Sequence, residues 1–252
     1  MSSSIWTQCA GDSRGRALAL DPFRVVESQH QISTRKLVDS DAEQLVLEQL
    51  IETAKPPDPT PSARLHYLLS TPFRYPPLRH GSRFGTRYER GLWYGSETRR
   101  ATFAETAYYR LLFLEATAAD LGTVQVGLSV FRVRTRTRRG IDLTTAPFDR
   151  FQGSLVSKTS YEATQALGSA MRRGGVEVFR YRSARDVAGG TNVGVLAPAA
   201  FGRATPREFE RWHCAATVAG VEVRTLDYLR DEAFRFPRHE FLVDGRLPHP
   251  AP

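Results

Sequence analysis

Three residues with reactive or ligand-gripping side chains, Arg83, Tyr94 and Glu105, stand eleven residues apart in the stretch from Pro72 to Arg110. Glu105 is the most informative of them. The spacing of Ala101, Ala104, Tyr108, Leu111 and Leu112, three and four apart, predicts a helix with an apolar stripe, and Glu105 falls inside that stripe. A carboxylate facing an apolar interior is costly unless it is paired or put to use, and such acids are common at reactive sites. Two readings therefore stand side by side: a structural ion pair with one of the chain's many arginines, or a working acid. Arg83 lies in a glycine-flanked loop, GSRFG, where a guanidinium could grip an anion. Tyr94 ends a short apolar run, GLWYG, read as a buried strand closed by glycine.

The chain that must position these groups has 252 residues, is 41% hydrophobic and 25% charged, and carries a net charge of +8. That size supports one large domain or a domain with an appendage, and the charge suits a polyanion, a phosphate-bearing metabolite or an acidic partner. Lys36, Lys55 and Lys158 are the lysines, so the positive charge is almost all arginine, whose planar fork binds phosphate bidentately. Cys9 and Cys214 make neither a disulfide framework nor a metal pattern, which fits a reducing cytoplasm. No apolar run approaches membrane-spanning length, and the N-terminus lacks a signal-peptide core.

Residues 1–20 show little pattern, and residues 21–37 read as extended. Ser40 and Glu43 form a capping-box signature for a helix ending near Ala54, and the proline-rich KPPDPTP then breaks it. This divides the chain into an N-terminal extension with one helix, residues 1–60, and a main domain, residues 61–252. Residues 62–70 suit a short helix or a strand. Pro72, Pro76 and Pro77 are expected to hold Arg74 and Tyr75 in extended backbone. Ser96 or Thr98 caps the Glu105 helix. Residues 123–137 alternate as one long strand, with Arg132, Arg134, Arg136 and Arg138 on one face; without interleaved aromatics this reads as a solvated face rather than a nucleic-acid surface. A helix from Tyr161 to Met171, stopped by Gly174-Gly175, strands at 176–181 and 192–196, and a hairpin joining 212–218 to 221–225 complete the pattern. Helices and strands without regular alternation imply α+β with largely antiparallel sheets.

Gly189-Gly190 is too weak for a phosphate loop, and neither GxxxxGK[ST] nor GxGxxG occurs. The six histidines share no metal-ligand spacing, so no metal is expected. A GxSxG elbow is also absent. Ser183, just past a strand, reads by itself as a turn residue.

With Arg83, Glu105 and Ser183 in view, the chain resembles the RES-domain family, through the segments GSRFG, GLWYGSET, ATFAETAYYR and VEVFRYRSARDVAGGTNV in that order. The resemblance covers roughly residues 62–225, and the segment before it is similar to an extension some members carry. The interval between Glu105 and Ser183 is long for the family, which implies elaborated loops. The resemblance implies an ADP-ribosyltransferase-like fold and a bacterial toxin that consumes NAD⁺ as substrate, with no separate cofactor. Hydrolysis, phosphorolysis with inorganic phosphate as co-substrate, and ADP-ribosylation of a protein are all activities of the family. It also implies a partner antitoxin, usually an Xre-type DNA-binding protein that plugs the active site. Homo-oligomerisation stays open.

Cleaving the nicotinamide–ribose bond passes through an oxocarbenium-like state, as glycoside cleavage does. On the implied assignment, Arg74 and Arg83 hold phosphate, Tyr75 and Tyr94 orient rings, Glu105 faces the ribose, and Ser183 holds the nicotinamide amide or its ribose. A non-catalytic nucleic-acid module is the reading left to the basic charge alone.

Overall fold

The computed structural model describes residues 4–28, 38–54, 64–75 and 79–249. Among the described residues the elements run α1 (Ile5–Gln8), β1 (Arg16–Leu20), β2 (Phe23–Glu27), α2 (Asp41–Ala54), α3 (Tyr67–Arg74), β3 (Trp93–Ser96), α4 (Arg99–Ala116), β4 (Val124–Arg132), β5 (Thr135–Asp142), α5 (Gln152–Leu155), α6 (Glu162–Arg173), β6 (Val178–Arg182), β7 (Thr191–Val195), β8 (Arg207–Thr217), β9 (Gly220–Thr225) and β10 (Ala233–Pro237).

The strands form one sheet in the order β1-β5-β6-β7-β3-β2-β4-β8-β9-β10. Every neighbouring pair is antiparallel except β5 with β6. A parallel pair needs a long crossover, and the segment carrying α5 and α6 supplies it. The fold is therefore α+β with a largely antiparallel sheet. The N-terminal segment is not set apart from that sheet: β1 pairs with β5, and β2 lies inside the sheet between β3 and β4. β1 and β2, from the segment before position 60, are thus strands of this same sheet. KPPDPTP lies outside the described residues.

The region expected as one long strand is two. β4 ends at Arg132, Val133 N–H donates to Pro22 O at 3.1 Å, and β5 starts at Thr135. β4 pairs with β2 and β8 in one half of the sheet, and β5 pairs with β1 and β6 in the other. The alternation slips phase at Val130-Phe131, where the β4–β8 register shifts, and resumes through Val133 into Thr135 and Thr137. Arg132 and Arg134 are paired with Glu208 and Asp21, while Arg136 and Arg138 are exposed, as a solvated face requires.

Local signals explain most helix ends. Thr98 caps α4, its hydroxyl accepting from Ala101 N–H at 3.2 Å. Ser160 Oγ accepts from Glu162 N–H at 3.2 Å at the start of α6. Gly174 and Gly175 close α6, Gly175 at φ +67°, where a side chain would be strained. Ser40 Oγ accepts from Glu43 N–H at 3.2 Å and so caps α2, while Glu43 reaches back to Asp39 N–H at 2.9 Å, one residue before the cap. The apolar residues of α2, Leu45, Val46, Leu50 and Ile51, are exposed rather than buried.

Two helices flank one face of the sheet. α4 packs Phe103, Ala104, Ala107, Tyr108 and Leu111 on the half built from β2, β4, β8 and β9. α6 packs Leu167, Ala170 and Met171 on the other half, against Phe179 and Tyr181. α3 covers the opposite face, where Leu68, Leu69 and Phe73 meet Trp93, Val193 and Val195.

Candidate active site

The two halves of the sheet meet at a weak seam. β2 and β3 share a single residue pair, Phe23 with Ser96. Beyond it the strands part, and Arg24 Nη1 bridges the gap by donating to Tyr94 O at 3.1 Å. Over this seam, between α4 and the start of α6, lies a cavity of about 330 Å³. That is within the range of small-ligand sites, roughly 300–1,000 Å³. Its walls include Arg24, Arg83, Tyr94, Glu105, Tyr109 and Asn192.

Glu105 is half-buried on α4. Its Oε1 accepts from Ser183 Oγ at 2.8 Å and from Asn192 Nδ2 at 2.6 Å. Asn192 is itself held, its Oδ1 accepting from Ser96 Oγ at 2.7 Å. Ser183 Oγ accepts from Arg185 N–H and Asp186 N–H, both at 3.1 Å, so its own proton points at Glu105. Among the described residues no arginine pairs with Glu105, and Oε2 takes no bond. Of the two readings of this carboxylate, the structural ion pair is not the one realised.

The loop carrying Ser183 is pinned to α4 at a second point. Asp186 pairs with Arg100 at 3.0 Å, and Ser183 N–H donates to Gly190 O at 2.8 Å. A Cβ on Gly190 would lie 2.5 Å from Asp186 Oδ2 and 2.7 Å from Ala101 Cβ. Gly190, the second of the glycines discounted as a phosphate loop, is therefore what lets this loop approach the helix.

Arg83 is buried, its Nη1 donating to Leu155 O at 3.2 Å and Ser157 O at 2.9 Å, with its guanidinium 4.8 Å from the centre of the Tyr161 ring. Carbonyls and a ring fix its position without cancelling its charge. Tyr94 is bolted to the same loop, its hydroxyl accepting from Phe84 N–H at 3.0 Å and bonding Ser82 Oγ at 3.0 Å. Burial pushes that phenol up to about 12, so it stays neutral. Burial pushes the Arg24 guanidinium down to about 10, which leaves it charged at neutral pH. Among the described residues neither Arg24 nor Arg83 has a carboxylate partner.

The structure thus brings Arg83, Tyr94 and Glu105 onto one cavity and sets Ser183 directly behind Glu105. Ser183 is not part of the cavity wall. Arg74 and Tyr75 are not either. Arg74 is the last residue of α3 rather than extended, since that helix runs through Pro72, and α3 lies on the sheet face away from the cavity. Arg24, Asn192 and Tyr181 were not singled out in the sequence. Alternation could have marked two of them: Tyr181 and Asn192 are paired in register on the face shared with Tyr94. Among the described residues no group of His, Cys, Asp and Glu could hold a metal ion, and no helix is long and apolar enough to cross a membrane.

Residues 57–216 match the family model described as the RES domain. No curated protein matches the chain. The matched region is more than half of the sequence and contains Arg83, Tyr94, Glu105 and Ser183. The chain belongs to the RES-domain family, a family of NAD-using domains of toxin–antitoxin systems.

Proposed function

We propose that this RES-domain chain cleaves the nicotinamide–ribose bond of NAD⁺ and acts as the toxin of a toxin–antitoxin pair. The supporting observation is the pairing of a carboxylate held by two neutral donors with two guanidinium groups that lack carboxylate partners among the described residues, all on one cavity.

Each part has a task in that reaction. Arg24 and Arg83 hold the diphosphate by charge-assisted bonds. Tyr94 forms a neutral aromatic wall. The bond between the anomeric carbon and the nicotinamide nitrogen breaks, its electron pair leaves with neutral nicotinamide, and positive charge develops on the ribose. Glu105 faces that charge. Its Oε1 is committed to Ser183 and Asn192, so Oε2 is the oxygen for the ribose. A preorganised charge of this kind is worth about 10²–10³ in rate. Water or inorganic phosphate then adds to the anomeric carbon from the other face; with water, a proton is released to solvent.

In this proposal Ser183 is a positioning residue and Arg74 and Tyr75 lie outside the contact set. The partner is an antitoxin, of the Xre type usual in the family, that occludes the cavity. Incubating the purified protein with NAD⁺, with and without phosphate, tests the reading. Free nicotinamide with ADP-ribose indicates hydrolysis, and a phosphorylated ADP-ribose formed only with phosphate indicates phosphorolysis. Label transferred to protein with little free ADP-ribose would instead show an ADP-ribosyltransferase. No nicotinamide release under any condition would overturn the proposal.

A further inference from the structure

The cavity is at the small end of the range for ligand sites. For a ligand as long as a dinucleotide, part of the molecule lies outside a cavity at that end of the range. On the proposed function, on which this inference rests, the second nucleoside must lie outside, along a wall continuous with the cavity.

α4 offers such a wall. On a helix of 3.6 residues per turn, taking Glu105 as origin, Tyr109, Thr102 and Thr106 stand roughly 40°, 60° and 100° around the axis. All four line the cavity, so this arc is the face α4 turns to it. Phe113 stands at roughly 80°, inside the same arc, one turn beyond Tyr109 and about 12 Å along the axis from Glu105. Tyr109 is 58% exposed and Phe113 51% exposed. Tyr109 is held by an edge contact with the buried Tyr108, their ring centres 5.2 Å apart. Tyr109 and Phe113 stand at i and i+4, the spacing at which helix side chains are neighbours, and two exposed aromatics so placed mark a contact site more often than an isolated one does.

We infer that Tyr109, on the cavity wall, and Phe113, one turn beyond it, form the platform on which the adenine of the dinucleotide stacks, beside the nicotinamide nucleoside in the cavity. Stacking of a base on an aromatic side chain is worth about 1–3 kcal/mol. Such a platform selects for a second flat base without touching the bond that breaks.

The test compares NAD⁺ with nicotinamide mononucleotide, which carries the scissile bond but no adenine. In Phe113→Ala, the KM for NAD⁺ should rise roughly 5- to 150-fold, with kcat kept and the mononucleotide's constants unchanged. Phe113→Trp should restore the wild-type KM. Tyr228→Ala, which removes a fully exposed aromatic far from this arc in sequence, is the control and should change neither substrate. An unchanged KM for NAD⁺ in Phe113→Ala, or equal losses on both substrates, would overturn the inference while leaving the proposed function standing. If the wild-type protein turns over neither substrate, binding followed by tryptophan fluorescence decides. NAD⁺ binding weakened by Phe113→Ala would support the platform, NAD⁺ binding indifferent to it would overturn the platform, and no NAD⁺ binding at all would overturn both the platform and the proposed function.

Discussion

Replacing Ser183 by alanine separates a turn residue from one that works through Glu105. The change removes one hydrogen bond to a carboxylate and the acceptor for two backbone N–H groups, those of Arg185 and Asp186, in residues that are both buried. Each orphaned buried donor costs about 1–3 kcal/mol, part of which relaxation recovers. A loss of about 2–5 kcal/mol is expected, which for a domain of this size lowers Tm by roughly 4–20 °C. That loss alone would follow from a purely structural serine. The discriminating quantity is catalytic. A hydrogen bond to a charged group is worth about 1.5–3 kcal/mol, so kcat/KM for NAD⁺ should fall roughly 10- to 150-fold at a temperature where the variant is folded. In a Glu105→Gln background the same substitution should cost less than about threefold, because the charge that Ser183 orients is gone. The coupling should exceed about 1 kcal/mol, the scale expected of side chains in direct contact. Differential scanning fluorimetry and quantitation of released nicotinamide give both axes. Equal losses in the two backgrounds would mean that Ser183 meets the substrate on its own. A Tm drop with no catalytic loss would return it to the role of a turn residue.

Other outcomes follow from the same geometry. Arg24→Gln should raise the KM for NAD⁺ roughly 10- to 150-fold, the worth of a charge-assisted bond, whereas Arg74→Gln should leave it within about threefold; steady-state kinetics on both variants checks the reassignment, and the reverse ranking would restore Arg74. Gly190→Ala forces a Cβ against Asp186 and Ala101, and overpacking of this sort costs about 1–3 kcal/mol. A Tm lowered by roughly 2–12 °C is expected, and an unchanged Tm would show that the loop has room. Tyr94 and Tyr108 are both pushed up to about 12 by burial, while a free phenol titrates near 10. The unfolded chain therefore loses these protons first. Stability is fully present below about pH 10 and falls as pH rises from about 10 to 12. Urea denaturation across that window should show the fall, and Tyr94→Phe should lessen it; a flat profile would contradict the buried, neutral phenols.

Three of the cavity's wall residues, Arg83, Tyr94 and Glu105, are legible in the sequence because they sit on strong local signals. A glutamate on an apolar stripe, a cap at Thr98 and glycines around Arg83 each act over a few residues, and each appears where the spacing implies. What was hidden depends on pairing. The role of Arg24 is invisible in FRVVE until β2 is placed beside β3, because only that seam turns a strand arginine into a cavity wall. Asn192 reads as the start of a strand, and its task becomes clear only when its amide meets Glu105 across the chain. The strand break at Val133 is marked in the sequence only by the phase slip at Val130-Phe131, which a bulge within one strand would also produce. Arg74 was misplaced for the converse reason. Prolines around it suggested extended backbone, yet packing of Leu69 and Phe73 stabilises a helix that includes Pro72.

Nicotinamide release from NAD⁺ by the purified protein, measured beside Glu105→Gln, bears most directly on the claim that this carboxylate faces a dinucleotide's ribose. The glutamine keeps an oxygen that can accept from Ser183 and Asn192 but carries no charge, so kcat should drop about 10²–10³-fold with Tm nearly unchanged. Release at an undiminished rate by the variant would contradict it.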